Sequence, residues 1–376
     1  MDKNETMNID ADIQSMVNQF QIDGEFLSAQ PHGTGHINDT YVVHVLQGGI
    51  DVPYIFQRIN HNVFPNPPLV MENIVRVTRH IRQKLEARVK NRENISRFVL
   101  TVIFTHEGLS YYRDHEGNYW RAYIFIDRAR SYDTLQSVDQ VLQVARMYGQ
   151  FQEMLHDFPG PPLHETIPDF HNGGKRLKDF QEALEADPYN RAKMAAPEID
   201  FVMANASLFS VLPDLVEKDK IPIRVAHNDT KINNVLLEDS TGEGVCVIDL
   251  DTVMPGLSLY DFGDLARTTL SPTDEDEQDL SKISVEIPRF EAILNGFLSS
   301  AGKILTQTEW DFLVFSTKMM TQMIGIRFFT DYLLGDIYFK IRRRDHNLDR
   351  CRTQFKLVQS IMEHEEEMNA IIRRFI

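Results

Sequence analysis

The sequence predicts an α+β fold with two lobes: a small N-terminal lobe of mainly antiparallel strands with one helix, and a larger, mainly helical C-terminal lobe. Two observations predict this organisation. Short β-like runs separated by turn residues fill most of the chain up to about residue 126. Apolar residues at helical spacing dominate from about residue 138 onward. In a chain of 376 residues each lobe can have its own core, and we expect domains at 1–126 and 127–376.

The overall composition excludes several classes of protein. The formal charge is −16, and nucleic-acid or anionic-membrane surfaces need a dense field of Lys and Arg that this balance does not supply. Two cysteines are too few for a disulfide framework. The N-terminus lacks the basic start and apolar core of a secretion signal, and no apolar run approaches bilayer length. We therefore expect a cytoplasmic protein with no nucleic-acid or membrane partner, and we take it to be a monomer, although the sequence does not give the oligomeric state.

A glycine-containing turn separates the first predicted strands. The stretch from Phe26 to Leu46 consists of short β runs, and the letters HGTGHIN interrupt them. Because glycines let backbone N–H groups approach phosphate oxygens closely, Gly33, Thr34 and Gly35 are candidate nucleotide contacts. An ordinary hairpin turn explains the same letters.

The third predicted strand, VPYIFQRIN, carries a cation near its end. Arg58 can bridge phosphate oxygens bidentately, whereas a lysine would offer a single point charge. A helix then follows Pro67, with Glu72 in its first turn. Glu72 is either the ion-pair partner of Arg58 or a surface acid. The apolar face of this helix is expected to contain Leu69, Ile74, Val77, Ile81 and Leu85.

A β-hairpin and a series of helices are predicted next. RFVLTVIF and NYWRAYIFI form the hairpin, and its end marks the lobe boundary, where backbone groups of residues 123–126 could bind adenine. The helical region begins with VDQVLQVARMYGQFQEML. The polar letters HNGGKR, which start at His171, are either part of a substrate pocket or an exposed loop.

The stretch from Arg224 to Arg267 contains the residues with the clearest chemistry. Asp229 follows a strand-like run, Asn234 comes five residues later, and Asp249 ends the next hairpin. Phosphoryl transfer needs a group that orients the acceptor hydroxyl and takes its proton late, and Asp229 suits that task. Asn234 and Asp249 offer the hard oxygen ligands that Mg²⁺ prefers. Strand alternation places Asp251 on the same face as Asp249.

Other polar residues of this region are expected to be structural. Asp261-Phe262-Gly263 looks like the metal-binding tripeptide of protein kinases, but it follows the end of the hairpin, so we assign the metal to Asp249. Asp261 and Asp264 are then helix N-terminal carboxylates or ion-pair partners, and His227 is a loop anchor. The acidic run from 274 to 279 is expected to be a solvated loop.

The sequence resembles the aminoglycoside phosphotransferase family, whose members are relatives of protein kinases. The resemblance lies in His227-x-Asp229, in Asn234 five residues after Asp229, and in Val-Ile-Asp249. Within this family, the closer resemblance is to the bacterial N-acetylhexosamine 1-kinases. The similar segments are GTGHINDTYVV, FQRIN, HNDTKINNVLL, VCVIDLDTVMPGLSLYDFGD and IRFFTDYLLGDIYFK. The resemblance implies a protein-kinase-like fold and ATP-dependent phosphorylation of the anomeric hydroxyl of GlcNAc or GalNAc.

The same resemblance implies roles for individual residues. Asp229 would be the base, and Asn234 and Asp249 would hold Mg²⁺. Four residues would surround the sugar and the transferred phosphoryl group: His36, Asp251, Arg327 and Tyr338. For Arg327, an ion pair with Asp331 or Asp336 is the structural alternative.

Two other functions compete with a sugar 1-kinase. The first is a kinase of the same fold that acts on a different hydroxyl, in an aminoglycoside, a choline-like amine or an amino acid. The second is a pseudokinase that binds without catalysis, and the presence of Asp229, Asn234 and Asp249 argues against it.

Overall fold

The computed structural model describes residues 13–33, 37–88 and 92–375. Thr34, Gly35 and His36, which were predicted to contact nucleotide or sugar, therefore lie outside the described residues. The chain divides into two compact units. The first contains Met1–Ala129, Gly160–Ile167 and Cys246–Val253, and the second contains Arg130–Pro159, Pro168–Val245 and Met254–Ile376.

The first unit is an antiparallel sheet with one long helix. Its elements are β1 (Glu25–Pro31), β2 (Asp39–Gln47), β3 (Ile50–Ile59), α1 (Pro67–Arg88), β4 (Val102–Ile103), β5 (Tyr112–Arg113) and β6 (Tyr119–Ile124). The strand order is β1-β2-β3-β6-β4, and β5 also pairs with β6. A 3₁₀ helix, Arg92–Arg97, follows α1. The N-terminal lobe thus has the mainly antiparallel sheet and single long helix that the sequence predicts.

Alternating burial builds the core of this sheet. Val43 and Val45 of β2 are buried on the same face, as expected for a strand with period two. Phe56 of β3 meets Phe20 edge-on, with ring centroids 5.4 Å apart. In α1 the buried apolar positions are Val70, Met71, Ile74, Val77 and Ile81. Leu69 and Leu85, near the two ends of α1, are only half-buried. Near the start of the helix, Val70 and Met71 are buried instead of Leu69.

The register between β3 and β6 decides which cation faces which side of the sheet. Gln57 pairs with Arg121, and Arg58 pairs with Trp120. Successive side chains of a strand point to opposite faces. Gln57 and Arg121 therefore share one face, and Arg58 lies on the other.

The second unit is mainly helical. After β7 (Ala129–Arg130) come α2 (Val138–Leu155), α3 (Gly173–Ala186), α4 (Ala196–Ala204), α5 (Leu208–Glu217), β8 (Arg224–Ala226), β9 (Val235–Glu238) and β10 (Gly244–Val247). Then follow β11 (Met254–Gly256), α6 (Ser258–Thr269), α7 (Ile287–Ala301), α8 (Gln307–Asp311), α9 (Leu313–Leu333) and α10 (His346–Ile372). β8 and β11 form an antiparallel pair. Cys246 and Val247, at the end of β10, belong to the first unit.

Two glycines let α2 and α7 of the second unit pack closely against each other. A Cβ atom at Gly149 of α2 would lie 2.2 Å from the carbonyl oxygen of Phe297 in α7. A Cβ atom at Gly296 of α7 would lie 2.4 Å from the carbonyl oxygen of Leu142 in α2. Each helix therefore presents a glycine to the backbone of the other, and any larger residue would push them apart.

One stretch corrects the expectation that no apolar run could span a bilayer. Residues 192–217 are long and apolar enough to do so by length and composition alone. In the structure this stretch comprises the 3₁₀ turn Ala192–Ala195, α4 and α5. Glu198 within this stretch forms an ion pair with Arg352 of α10, and the distance from Arg352 Nε to Glu198 Oε1 is 2.6 Å.

Candidate active site

The loop after β8 brings three charged or polar side chains together. Asp229 has a side chain that is 21% exposed, and its Oδ1 lies 2.9 Å from the Lys231 ammonium nitrogen. The Asn234 amide nitrogen donates to the Asp229 carbonyl oxygen at 2.9 Å and to its Oδ2 at 3.2 Å. The predicted base and the predicted metal ligand are thus neighbours, and both hydrogen bonds of Asn234 leave its amide oxygen for another partner. The sequence analysis gave Lys231 no chemical role.

Asp229 and Lys231 each stabilise the ionised form of the other. Burial pushes the pKa of Asp229 up, but the Lys231 ammonium, with smaller effects of His227 and Arg267, outweighs burial and leaves that pKa below its ordinary value. Burial acts on Lys231 in the opposite sense, and the carboxylates of Asp229 and Asp264 more than compensate, so its pKa is raised. Near neutral pH the loop therefore presents a carboxylate beside an ammonium group.

Asp261, the first residue of the Asp-Phe-Gly tripeptide, stabilises this loop by hydrogen bonds to its backbone and to Thr230. Its carboxylate accepts the backbone N–H of His227 at 2.9 Å and that of Asn228 at 2.7 Å, and the Gln152 amide also donates to it. Thr230 donates its hydroxyl to the Asp261 carbonyl oxygen at 2.7 Å. Burial raises the pKa of Asp261 to about 7. The carboxylate is enclosed by these donors, in agreement with the structural role that the sequence analysis favoured for it.

Helix α2 supplies the other support of the loop. The Tyr148 hydroxyl donates to the Lys231 carbonyl oxygen at 2.7 Å. The buried His227 ring lies against Tyr148 and Phe151, with centroids 5.5 Å from each, and its Nδ1 accepts the Asp229 N–H at 3.3 Å. His227 is therefore a loop anchor in this structure. Tyr148, Phe151 and Gln152 were predicted as ordinary helix residues, and only their spacing on one helix face could have linked them to the loop.

Arg327 of α9 is surrounded by aromatic rings. Its guanidinium carbon lies 5.2 Å from the ring centroid of Phe170, 5.9 Å from that of Tyr338 and 5.6 Å from that of Phe339. The structure therefore brings Arg327 and Tyr338 together, and their contact with a sugar stays a prediction. Both alternative ion pairs of Arg327 are wrong, and within the described ranges no carboxylate lies within 4 Å of its guanidinium nitrogens.

The two carboxylates proposed as partners of Arg327 are used elsewhere. Asp331 accepts the backbone N–H groups of Ile337 and Tyr338, at 2.9 and 2.8 Å. Asp336 forms an ion pair with Arg191 at 2.6 Å. Both carboxylates thus fix the segment after α9, which carries Tyr338.

His171 lies near both Arg327 and Asp229. Its Nε2 is 2.8 Å from the Asn228 carbonyl oxygen, and its Nδ1 has no hydrogen-bond partner among the residues that the structure describes. Burial lowers the pKa of His171 to about 4, so the ring is neutral and donates through Nε2. The Arg327 guanidinium and the Asp229 carboxylate both act electrostatically on this ring. His171, the first residue of the HNGGKR letters, therefore contacts the Asp229 loop, whereas the expectation of a loop is wrong for Gly173–Arg176, which begin α3.

In the first unit, Asp249 and Asp251 do not share a face. β10 ends at Val247, Asp249 adopts the left-handed conformation with φ +58°, and Leu250–Thr252 form a 3₁₀ turn. Strand alternation therefore does not apply, and the prediction from it is wrong. Asp249 is exposed, whereas the Asp251 side chain is 1% exposed and forms an ion pair with Arg121. Asn38 also donates to Asp251 Oδ2, at 2.7 Å.

Of the two alternatives for Glu72, the ion pair with Arg58 does not form, and Glu72 is an exposed acid that lies beyond the first turn of α1. Arg58 lies 2.6 Å from Asp39, its neighbour across β2 and β3, and Glu72 lies 3.1 Å from His164. The strand register explains this outcome, because it turns Arg58 to the face opposite Arg121. Gly33 has φ +76°, and a Cβ atom there would meet nothing within 4 Å.

The predicted Mg²⁺ ligands are of the right chemical type. Asn234 offers an amide oxygen and Asp249 an exposed carboxylate, and hard oxygen donors suit Mg²⁺. Over the described part of the chain there is no group of three His, Cys, Asp or Glu side chains that could hold a metal alone. Donors of these two types fit Mg²⁺ bound with a nucleotide, because Mg²⁺ uses few protein carboxylates and completes its shell with phosphate oxygens and water.

Comparison with solved structures identifies proteins of the same fold. An aminoglycoside phosphotransferase from Alicyclobacillus acidocaldarius is 14% identical, with a TM-score of 0.59 over 95% of this chain and 94% of that one. A microcompartment-associated aminopropanol kinase is 13% identical, with a TM-score of 0.56 over 96% and 98%. A choline kinase from Cryptosporidium parvum is 15% identical, with a TM-score of 0.56 over 95% of both chains. At these identities the similarity confirms the protein-kinase-like fold.

A family comparison gives the assignment at the level of sequence. Residues 28–284 match the model described as APH, the phosphotransferase enzyme family. The matched region contains the Asp229 loop, Asp249 and Asp261, and it covers more than half of the 376 residues. The chain therefore belongs to the phosphotransferase enzyme family.

Proposed function

We propose that this chain is a cytoplasmic, monomeric kinase that transfers the γ-phosphoryl group of ATP to the anomeric hydroxyl of an N-acetylhexosamine, GlcNAc or GalNAc. The observation that carries the proposal is the loop in which Asp229, Lys231 and Asn234 are neighbours. The sugar is the step that rests on the resemblance of the sequence to the N-acetylhexosamine 1-kinases.

Asp229 would orient the acceptor hydroxyl and take its proton. With its pKa below the ordinary value, Asp229 is ionised at neutral pH and accepts a hydrogen bond from the sugar hydroxyl. A weak base is sufficient, because the proton leaves the hydroxyl late in a loose phosphoryl-transfer transition state. Lys231, 2.9 Å from the carboxylate, would offset the negative charge of the incoming phosphoryl group.

Asn234 and Asp249 would hold Mg²⁺ through one oxygen each. When bound, Mg²⁺ neutralises charge on the β- and γ-phosphates. Asp261, Tyr148 and the His227 ring fix the backbone of the loop, so Asp229 and Asn234 need little rearrangement to reach their working positions.

The surroundings of Arg327 favour a neutral acceptor over an amine. Aromatic rings bind a quaternary or protonated amine when their faces are open to it. Here the faces of Phe170, Tyr338 and Phe339 are occupied by the guanidinium of the chain itself, which would also repel a ligand cation. Arginine has five N–H donors and can bind sugar oxygens instead. The acceptor would lie on the Asp229 side of His171, which is affected electrostatically by both Asp229 and Arg327.

A panel of acceptors tests the proposal. The purified chain is incubated with Mg-ATP and GlcNAc, GalNAc, glucose, galactose, choline, ethanolamine or kanamycin, and the products are followed by phosphorus NMR. We expect phosphate on the anomeric oxygen of GlcNAc or GalNAc. Transfer only to an amine substrate would overturn the sugar assignment, and no transfer or hydrolysis with any compound would support the pseudokinase.

Two variants separate chemistry from binding. Asp229→Asn should bind ATP nearly as well as the parent and lose on the order of 10² to 10⁴ in kcat, as expected for a positioned base. Arg327→Gln should raise the KM for the sugar and leave the KM for ATP unchanged. Full activity of Asp229→Asn would contradict the mechanism.

A further inference from the structure

We propose that Arg121 is a positioning residue for the metal-binding segment: through its buried ion pair with Asp251 it fixes the direction of the Asp249 carboxylate. This inference rests on the proposed role of Asp249 as a Mg²⁺ ligand. It does not depend on which acceptor is phosphorylated. The sequence-based expectation that Asp251 lies beside the sugar stays a prediction.

Arg121 is too enclosed to contact a nucleotide itself. Its side chain is 1% exposed, and both terminal nitrogens bond the two oxygens of Asp251, with Nη2 to Oδ2 at 3.0 Å. Nε donates to Gln57 Oε1 at 2.9 Å, and the guanidinium also lies over the Tyr123 ring at 5.4 Å. Every nitrogen is used within the first unit, so Arg121 can act on catalysis through its hydrogen-bond partners or through its charge, and not by contact with the nucleotide.

Asp251 is held from a second direction. Asn38 donates to Asp251 Oδ2 at 2.7 Å, and Asn38 Oδ1 accepts the Asn60 backbone N–H at 3.0 Å. Gln57, the other partner of Arg121, donates to the Thr40 hydroxyl at 2.9 Å. The hydrogen bonds therefore connect the beginning and end of the β2–β3 hairpin to the segment that contains Asp249.

The backbone of Asp249 explains why such anchoring matters. With φ +58° it occupies the left-handed region, which costs a non-glycine residue energy and persists only where neighbouring residues fix it. Leu250 is buried, and Asp251 forms the ion pair with Arg121. The side chains of both residues that follow Asp249 are therefore held in place. Asp249 itself is exposed, and its carboxylate lies within electrostatic range of Arg121. The anchored pair thus holds an exposed carboxylate in one orientation.

Positioning can be distinguished from simple stabilisation. Breaking a buried ion pair by removing one partner is strongly destabilising, whereas replacing both partners with apolar residues of similar size is often neutral. The double variant Arg121→Met/Asp251→Leu should therefore recover much of the stability that either single variant loses. If the pair positions Asp249, this recovery will not restore metal binding.

The test measures Mn²⁺ binding by electron paramagnetic resonance in the presence of ADP, with thermal unfolding in parallel. We expect the double variant to raise the Kd for Mn²⁺ by about 10- to 100-fold, the range typical of groups that orient a metal ligand. The affinity for ADP without metal should be unchanged. Arg121→Lys, which keeps the charge and loses the bidentate geometry, should remain folded and weaken Mn²⁺ binding by a smaller factor.

Arg289→Met is the matched control. Arg289 is also a buried guanidinium, bonded to Glu286 and to the Leu135 carbonyl oxygen in the second unit. Its loss should lower the unfolding temperature and leave the Kd for Mn²⁺ unchanged. An unchanged Kd in both the folded double variant and Arg121→Lys would overturn the inference. An unchanged Kd in Asp249→Asn would overturn the metal assignment itself, whereas a negative acceptor panel would affect the sugar proposal alone.

Discussion

The substitution Gly149→Ala tests whether the contact between α2 and α7 supports the catalytic loop. The added methyl group would lie 2.2 Å from the Phe297 carbonyl oxygen and 2.9 Å from its Cα atom. A normal contact needs about 1 Å more, and the obstacle is helix backbone, which cannot rotate away as a side chain can. Overpacking costs about 1–3 kcal/mol and more in rigid sites, while alanine gains about 1 kcal/mol of helix propensity over glycine. We expect a net loss of about 2 kcal/mol.

The same substitution should reduce activity. Gly149 is next to Tyr148 and close to Phe151 and Gln152, the α2 residues that contact the loop carrying Asp229. Displacing α2 from α7 would move all three, so kcat should fall several-fold even where the protein is fully folded.

Urea unfolding and steady-state kinetics measure these two effects. Gly174→Ala is the matched control: it lies in the first turn of α3, is exposed, and its Cβ atom would make only an ordinary contact, 3.5 Å from Asn172 Oδ1. Gly174→Ala should be neutral or stabilising. If Gly149→Ala unfolds at the same or a higher urea concentration than the parent, the close approach of the helices is refuted.

Two further predictions concern charge. Between about pH 5 and pH 6, Asp261 and His171 should affect stability in opposite directions, each by about 1.4 kcal/mol per pH unit. The contribution of Asp261, whose pKa is raised to about 7, is lost as pH rises through that value, and the contribution of His171 is lost as pH falls from 6.5 towards about 4. His171→Gln should therefore lose stability more steeply than the parent as pH rises over this interval, because the opposing contribution of His171 is gone. An equal dependence of the urea midpoint on pH in variant and parent would contradict the assignment. Lys231→Met should lower kcat and, because the ammonium depresses the pKa of Asp229, move the acidic limb of kcat/KM to higher pH. An unmoved limb would show that Lys231 does not act on Asp229.

The parts of the structure that follow from short-range pattern could be predicted from the sequence. Alternation gives β2 and β3, helical spacing gives α1 and α2, and the interval from Asp229 to Asn234 places both side chains in one loop. Each depends on residues within one or two turns of chain, for which the period alone carries the information.

Features that depend on distant residues or on a single backbone angle could not be predicted. The Arg121–Asp251 pair joins positions 130 residues apart, and no local pattern marks either partner. The left-handed Asp249 ends the alternation that placed Asp251. The acidic run from 274 to 279 is also not simply solvated, because Glu275 pairs with Arg267 at 2.7 Å and Asp276 with Arg343 at 2.8 Å.

The enclosure of Arg327 has a consequence for how acceptor preference can change within this fold. Three aromatic faces already converge on one cation, so the geometry of an amine-binding cage is present with its place taken. Replacing Arg327 with a small neutral residue would leave the faces of these three rings accessible to the ammonium group of a ligand. The Arg327 side chain thus occupies the position that the ammonium group of an amine ligand would need.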